Sequence, residues 1–179
     1  MARKKAKKTI DTTALMFIGI AVVGLILAIL GLCLPWITSA NGNVADGIFS
    51  VLFDDLQSSC TDANFEIYSF GLVRTFGIIS LVLAIGATAL IVLKTLGIFE
   101  LKGLIKLIIA VAVVVVAVLL LVFAISYISS LNAIFDKNVV GAGIRVLYGF
   151  GDAPASMGVA SFFLPIGTAM TGVAYLLNK

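Results

Sequence analysis

The chain has no histidine. That removes the commonest general base at neutral pH and the commonest zinc ligand. It has two cysteines, enough for at most one internal disulfide. Charge is scarce: Asp, Glu, Lys and Arg make up 12% of 179 residues, against about 25% in soluble proteins. No Asp or Glu falls near the centre of a long apolar run. This weighs against proton- or cation-coupled transport, which uses such intramembrane acids. With no histidine, no intramembrane carboxylate pair and no nucleophile beside a base, the sequence reads as a non-enzyme with no cofactor and no metal. What fills the chain instead is apolar, 61% of it. Too few polar residues remain to cover a soluble core of that size. The class is an integral membrane protein.

Four apolar runs are long enough to cross a hydrocarbon core of about 30 Å, which takes about 20 helical residues. They cover roughly 13–36, 69–93, 104–129 and 155–177. Lipid offers the backbone no hydrogen-bond partner, so each run is read as a helix despite its β-branched residues. The expected fold is all-α, one four-helix membrane domain over 1–179, built as two hairpins. Residues 1–12 form a basic tail, and 37–68 and 130–154 are the outer loops.

Lys and Arg set the direction. Arg3, Lys4, Lys5, Lys7 and Lys8 lie in the tail, Lys94, Lys102 and Lys106 between the second and third runs, and Lys179 at the end. With Asp11 and Glu100 subtracted, that side carries about +7. The other side sets Arg74, Lys137 and Arg145 against Asp46, Asp54, Asp55, Asp62, Glu66, Asp136 and Asp152, about −4. Both termini are therefore expected to be cytoplasmic, at the plasma membrane. The net charge of +3 is sorted by topology, so no nucleic-acid partner is expected.

The first run ends in "LGLCLPWITSANG". The stretch is too long for a signal-peptide core and no small-residue cleavage site follows, so the helix is expected to be retained. Leu32 before Cys33 speaks against lipid attachment. Pro35 ends the helix by pushing Leu34 out of helical geometry, and Trp36 is expected in the interfacial aromatic belt. A disulfide between Cys33 and Cys60 is expected, because Cys33 lies one turn inside Trp36 and Cys60 sits in the facing loop. The bland alternative is a small buried hydrophobe at Cys33 and a free surface thiol at Cys60.

In the first outer loop, Ile48, Phe49, Leu52, Phe53 and Leu56 fall on one face of a helix, with Asp46 as its N-cap. The face is read either as a docking surface for a partner or as a lid over the helix ends. Trp36, Ile48, Phe49, Leu52, Phe53 and Arg74 are the candidate contact residues. Asp62, Asn64 and Glu66 alternate beside Asp54 and Asp55, but without the turn glycine and bidentate acid of a calcium loop they read as solvated. "NVADGIFSVLF" and "NVVGAGIRVLY" align with small gaps, as in a duplicated hairpin. Arg74 lies inside the second run and is expected to pair with an acid such as Glu66 or Asp136. Small residues at helical spacing mark the packing seam: Gly24 and Ala28, then Ser80, Ala84 and Thr88, then Ser161, Gly167, Thr168, Thr171 and Gly172. Pro165 should kink the fourth run. The third run, uniformly bulky, is expected to face lipid most.

Four helices with both ends inside, Trp36 beyond the first span, Cys60 in the first loop and Arg74 near the outer end of the second span resemble the claudin-like tetraspan superfamily. That resemblance implies a structural, scaffold or accessory protein at the cell surface. The chain lacks the Gly-Leu-Trp triplet and the second loop cysteine of true claudins. The "LPW" exit and "DGIFSVL" also resemble small uncharacterised bacterial four-helix membrane proteins. The expected partners are the bilayer and other membrane proteins or a second copy of the chain. A channel or small-solute transporter is the alternative function.

Overall fold

The computed structural model describes residues 12–42, 44–65, 67 and 70–178. The elements run α1 (Thr12–Cys33), β1 (Pro35–Thr38), β2 (Val44–Asp46), α2 (Val51–Asp62), α3 (Phe70–Thr95), α4 (Gly103–Phe135), α5 (Val139–Leu147), β3 (Ser156–Met157) and α6 (Ala160–Leu177). Four of them, α1, α3, α4 and α6, are long and apolar enough to cross a membrane. They pack as a bundle, and the three strands with α2 and α5 form a cap over one end.

Helix α6 is the hub, packed against α1, α3 and α4. Its small residues make this possible. Ser161, Gly167, Thr168, Thr171 and Gly172 are all on its buried face. A Cβ on Gly24 of α1 would lie 2.7 Å from the Gly167 carbonyl, and one on Gly31 would lie 2.5 Å from the Leu164 amide. Backbones that close need glycine on the seam. In α3 the buried face includes Ser80, Ala84 and Thr88, as the spacing predicts. Helices α1 and α4 are the two least buried of the four. The apolar window of α1 is 22% buried against 28% for α4, because Gly24, Ala28 and Gly31 present α1 to the bundle along one narrow stripe.

Helix α1 stops at Cys33, one residue before the restricted Leu34. Its last carbonyls then need partners. Leu34 N–H bonds to Leu30, Trp36 Nε1 to Gly31 at 2.8 Å and Ile48 N–H to Leu32 at 3.2 Å. Gly47 N–H bonds the Leu34 carbonyl at 3.2 Å. Gly47 has φ +66°, and a Cβ there would sit 2.9 Å from the Leu32 carbonyl. The returning chain thus caps the helix.

The cap holds a sheet the sequence reading did not contain. Its order is β2-β1-β3, antiparallel throughout. Ile37 pairs with Ala45 and Met157, and Thr38 with Val44 and Ser156. β1 therefore links the exit of α1 to the entry of α6. Gly158 N–H and Ser161 Oγ both donate to the Trp36 carbonyl, at 2.9 and 3.1 Å.

The expected loop helix exists but starts later. Asp46 lies in β2, and the N-cap is Ser50, whose hydroxyl accepts from Leu52 N–H at 3.3 Å. Only after the Gly47 turn is the chain free to enter a helix. The two segments that align in sequence also differ in structure. The second forms α5 with Asn138 as N-cap, while the first passes from strand through a turn into α2.

Candidate functional site

The candidate site is the cap. Its interior is an aromatic cluster in which Phe53 of α2 stacks on Phe70 of α3 at 5.0 Å. Tyr127 of α4 packs on both rings, at 5.9 and 5.5 Å. Arg74 lies over the Phe70 ring at 4.8 Å. Its Nη2 pairs with Asp54 Oδ1 at 3.0 Å, and its Nε donates to the Ile48 carbonyl at 3.3 Å. The partner is thus an acid of α2. Asp136 pairs instead with Arg145 at 3.8 Å, and Glu66 lies outside the described residues. Arg74 sits where α3 emerges, within reach of α2 folded above it, so it fastens the cap to the bundle.

Of the six candidate contact residues, Trp36, Ile48 and Phe53 are turned inward. Leu52 and Arg74 are half-buried, and Phe49 is exposed. Trp36 does not belong to a lipid-facing belt: its ring is 3% exposed because Nε1 is drawn in to the Gly31 carbonyl. The face of α2 that packs down carries Phe53, Leu56 and Cys60. This is the lid arrangement rather than an open docking face.

The expected Cys33–Cys60 disulfide is not present; both are free thiols. The buried stripe of α1 runs through Ala28 and Gly31, and Cys33, two residues on, points out of the bundle. Cys60 is fully buried on the inner face of α2. The bland alternative is also reversed, since Cys33 is the exposed thiol and Cys60 the buried one. Burial pushes the Cys60 thiol up to about 11.

The second connection is tied to the first by polar side chains. Asn132 clamps Ala155 from both sides, Nδ2 to its carbonyl at 2.9 Å and Oδ1 from its N–H at 2.8 Å. Asn41 Nδ2 donates to the Phe150 carbonyl, and Ser59 and Tyr148 share a hydroxyl bond of 2.6 Å. Arg145 Nε donates to the Gly151 carbonyl. These links were invisible in the sequence, because each joins polar residues far apart in the chain. A cavity of about 10 Å³ lies between Trp36, Phe53, Val73, Tyr127 and Ser161. That is room for one water at most, so the cap interior is a packed core. Among the described residues no group of three or more His, Cys, Asp or Glu converges to hold a metal ion.

At the opposite end, Lys94 and Lys106 both donate to the Asn178 carbonyl, at 2.9 and 2.7 Å. Cations there complement the negative end of the α6 dipole. Lys94 and Lys102 also hold Glu100, at 3.1 and 3.5 Å, and the Lys94 hydrogen bond lowers the pKa of its carboxyl. On the bundle's outer wall a groove of about 140 Å³ is lined by Ala117, Val118, Leu121, Pro165, Ile166 and Ala169, all apolar. No family profile, curated protein or solved structure matches this chain.

Proposed function

We propose that the chain is a non-enzymatic, multi-pass plasma-membrane protein that acts as a structural, scaffold or accessory component through its cap. The observation that carries this reading is the tight packing of the cap on the bundle, where the cavity between Trp36, Phe53 and Tyr127 measures only about 10 Å³. The hydroxyls of Thr88, Thr168 and Thr171 donate to carbonyls of their own helices, at 2.8, 2.9 and 2.7 Å. Their protons are engaged within their own helices, which supports a packing role over a hydrated path. Arg74, the one ionisable group inside the second run, is bound to Asp54 and the Ile48 carbonyl.

Charge sorting supports an orientation with the cap outside and both termini in the cytoplasm. Lys94, Lys102 and Lys106 gather at the end away from the cap, whereas Asp54, Asp55, Asp62, Asp136 and Asp152 belong to the cap. In this orientation the exposed cap residues, Phe49 among them, face the surroundings of the cell.

The test is photocrosslinking from position 49 in native membranes, with identification of what is caught, beside flux measurements on the purified protein in liposomes. A single membrane or surface protein caught from position 49, but not from the wall position Val118, is the expected result. Solute flux that vanishes in Arg74→Ala would overturn the reading in favour of transport.

A further inference from the structure

At the end of the bundle away from the cap, two lysines are drawn onto the end of α6. Lys94 of α3 and Lys106 of α4 are both half-buried, and both ammonium groups donate to the Asn178 carbonyl. The Lys94 side chain is 16% exposed, against 80% for the solvated Lys102. Charge is not balanced here. Glu100 is shared between Lys94 and Lys102, and among the described residues no carboxylate pairs with Lys106. The C-terminus of α6 supplies only about half a negative charge, so about one and a half positive charges are left over.

The same place holds two buried polar atoms without a hydrogen-bond partner among the described residues, Tyr175 Oη and Asn178 Nδ2. Both residues are 3% exposed. Both are also the residues that the lysines touch. Lys106 Nζ lies 5.9 Å from the Tyr175 ring centre, and the Asn178 carbonyl receives both ammonium groups. Buried polar atoms are nearly always satisfied, so two orphans beside two cations call for a shared partner. The four groups have one chemistry in common. Each donates a hydrogen bond, and the ammonium and amide nitrogens cannot accept one. An anion with several acceptor oxygens completes such a set. A carboxylate offers one charge and two oxygens, whereas a phosphomonoester offers about 1.5 to 2 charges and three oxygens, which matches both the charge and the number of donors.

We propose that this end of the bundle is a phosphate-binding site, in which Lys94, Lys106, Tyr175 and Asn178 hold a phosphomonoester group. Each ammonium carries three N–H groups, so it can keep the Asn178 carbonyl and still bind phosphate. Lys106 lies over Tyr175, and its flexible stem swings aside to admit the ligand. The neighbouring surface favours a lipid as the source. Leu96, Ile98 and Phe99, between α3 and α4, and Leu104 and Ile105, in the first turn of α4, are 49 to 69% exposed. They offer acyl chains an apolar surface beside the cations, as basic sites at the ends of transmembrane helices do for anionic lipids. The inference concerns the end opposite the cap and is independent of the function proposed above.

The experiment is native mass spectrometry of the purified full chain in a neutral detergent, titrated with phosphatidic acid. Phosphatidylcholine is the control and inorganic phosphate the competitor. Saturable binding of phosphatidic acid, about tenfold or more tighter than phosphatidylcholine, is expected. Displacement by inorganic phosphate would keep the site and assign it to a soluble phosphate ester; resistance to displacement assigns it to the lipid. Lys106→Gln, Asn178→Ala and Tyr175→Phe should each weaken binding about tenfold, the loss of one hydrogen bond to a charged group. The last two leave the net charge unchanged, and Asn178→Ala leaves the carbonyl that holds the lysines. Lys106→Arg should retain binding. Lys5→Gln removes one charge from the basic tail and should change the affinity by less than about twofold. Unchanged Trp36 fluorescence checks that each variant is folded. Absence of saturable binding of either probe would overturn the proposal. So would equal weakening by Lys5→Gln and Lys106→Gln, which would indicate diffuse attraction to a basic surface, or unchanged affinity in both Asn178→Ala and Tyr175→Phe.

Discussion

Replacing Gly31 by alanine tests the central contact of the bundle. The added Cβ would lie 2.5 Å from the Leu164 amide nitrogen, 2.7 Å from its Cβ and 2.8 Å from its Cα. Carbon atoms pack best at about 3.5–4.0 Å. The obstacle is mostly backbone, so no rotamer change relieves it, and α6 must retreat from α1 by about 1 Å. Overpacking of this kind typically costs about 1–3 kcal/mol. Against that stands a gain of up to about 1 kcal/mol from replacing glycine in a helix. Gly19→Ala isolates this second effect, since Gly19 is in the same helix with nothing within 4 Å. The expected difference between the two variants is about 1–3 kcal/mol, with Gly31→Ala the less stable. Trp36, the sole tryptophan, bonds the Gly31 carbonyl and reports directly on this seam. Its fluorescence, followed through an SDS titration in mixed micelles, gives the unfolding midpoint. Equal midpoints for Gly31→Ala and Gly19→Ala would refute the close α1–α6 approach.

Two further outcomes are expected. Cys33 should react with maleimide in the folded protein, while Cys60 reacts only after unfolding, as it is buried with its thiol pushed up to about 11. The folded cap keeps that proton while the unfolded chain begins to release it near the ordinary value of 9.0. The stability due to the neutral thiol is thus complete below that pH and declines as pH rises toward 11; SDS midpoints of Cys60→Ala should lack this part of the decline. Asp54→Asn should lower stability by less than about 1 kcal/mol, as the pair is partly exposed. Arg74→Met should cost about 1–3 kcal/mol, because it also loses the Ile48 carbonyl bond. Equal SDS midpoints for these two variants would show that the ion pair alone fastens the cap.

Much of the bundle was legible. The seam residues Gly24, Ala28, Ser80, Ala84, Thr88, Gly167 and Thr171 are buried where their spacing placed them. The cap was legible only in outline. A helix was expected from Ile48 onward, and one exists, but the residues before it pair as strands. The apolar alternation of a strand is hard to distinguish over three or four residues, and the partner of β1 lies more than a hundred residues away in β3. Arg74 drew attention as a charge inside the second run, and it does pair with an acid. Its partner depended on how α2 folds back over α3, and spacing carries no information about that.

The sequence by itself determined the four long helices. A hydrocarbon environment leaves the backbone no other way to satisfy its hydrogen bonds, so length and apolarity suffice. It also determined the seam, since only small residues let helices approach closely in lipid. Tertiary structure alone decided the fate of the chain where it meets water. There the backbone has choices, and distant partners make them. Trp36 turns inward because Gly31 and Ser161 hold it. Cys33 and Cys60 stay apart because one faces out of α1 and the other into the cap. The aliphatic arc of α5 is exposed because the helix packs on its neighbours through the opposite side, where Gly141 and Ile144 are buried.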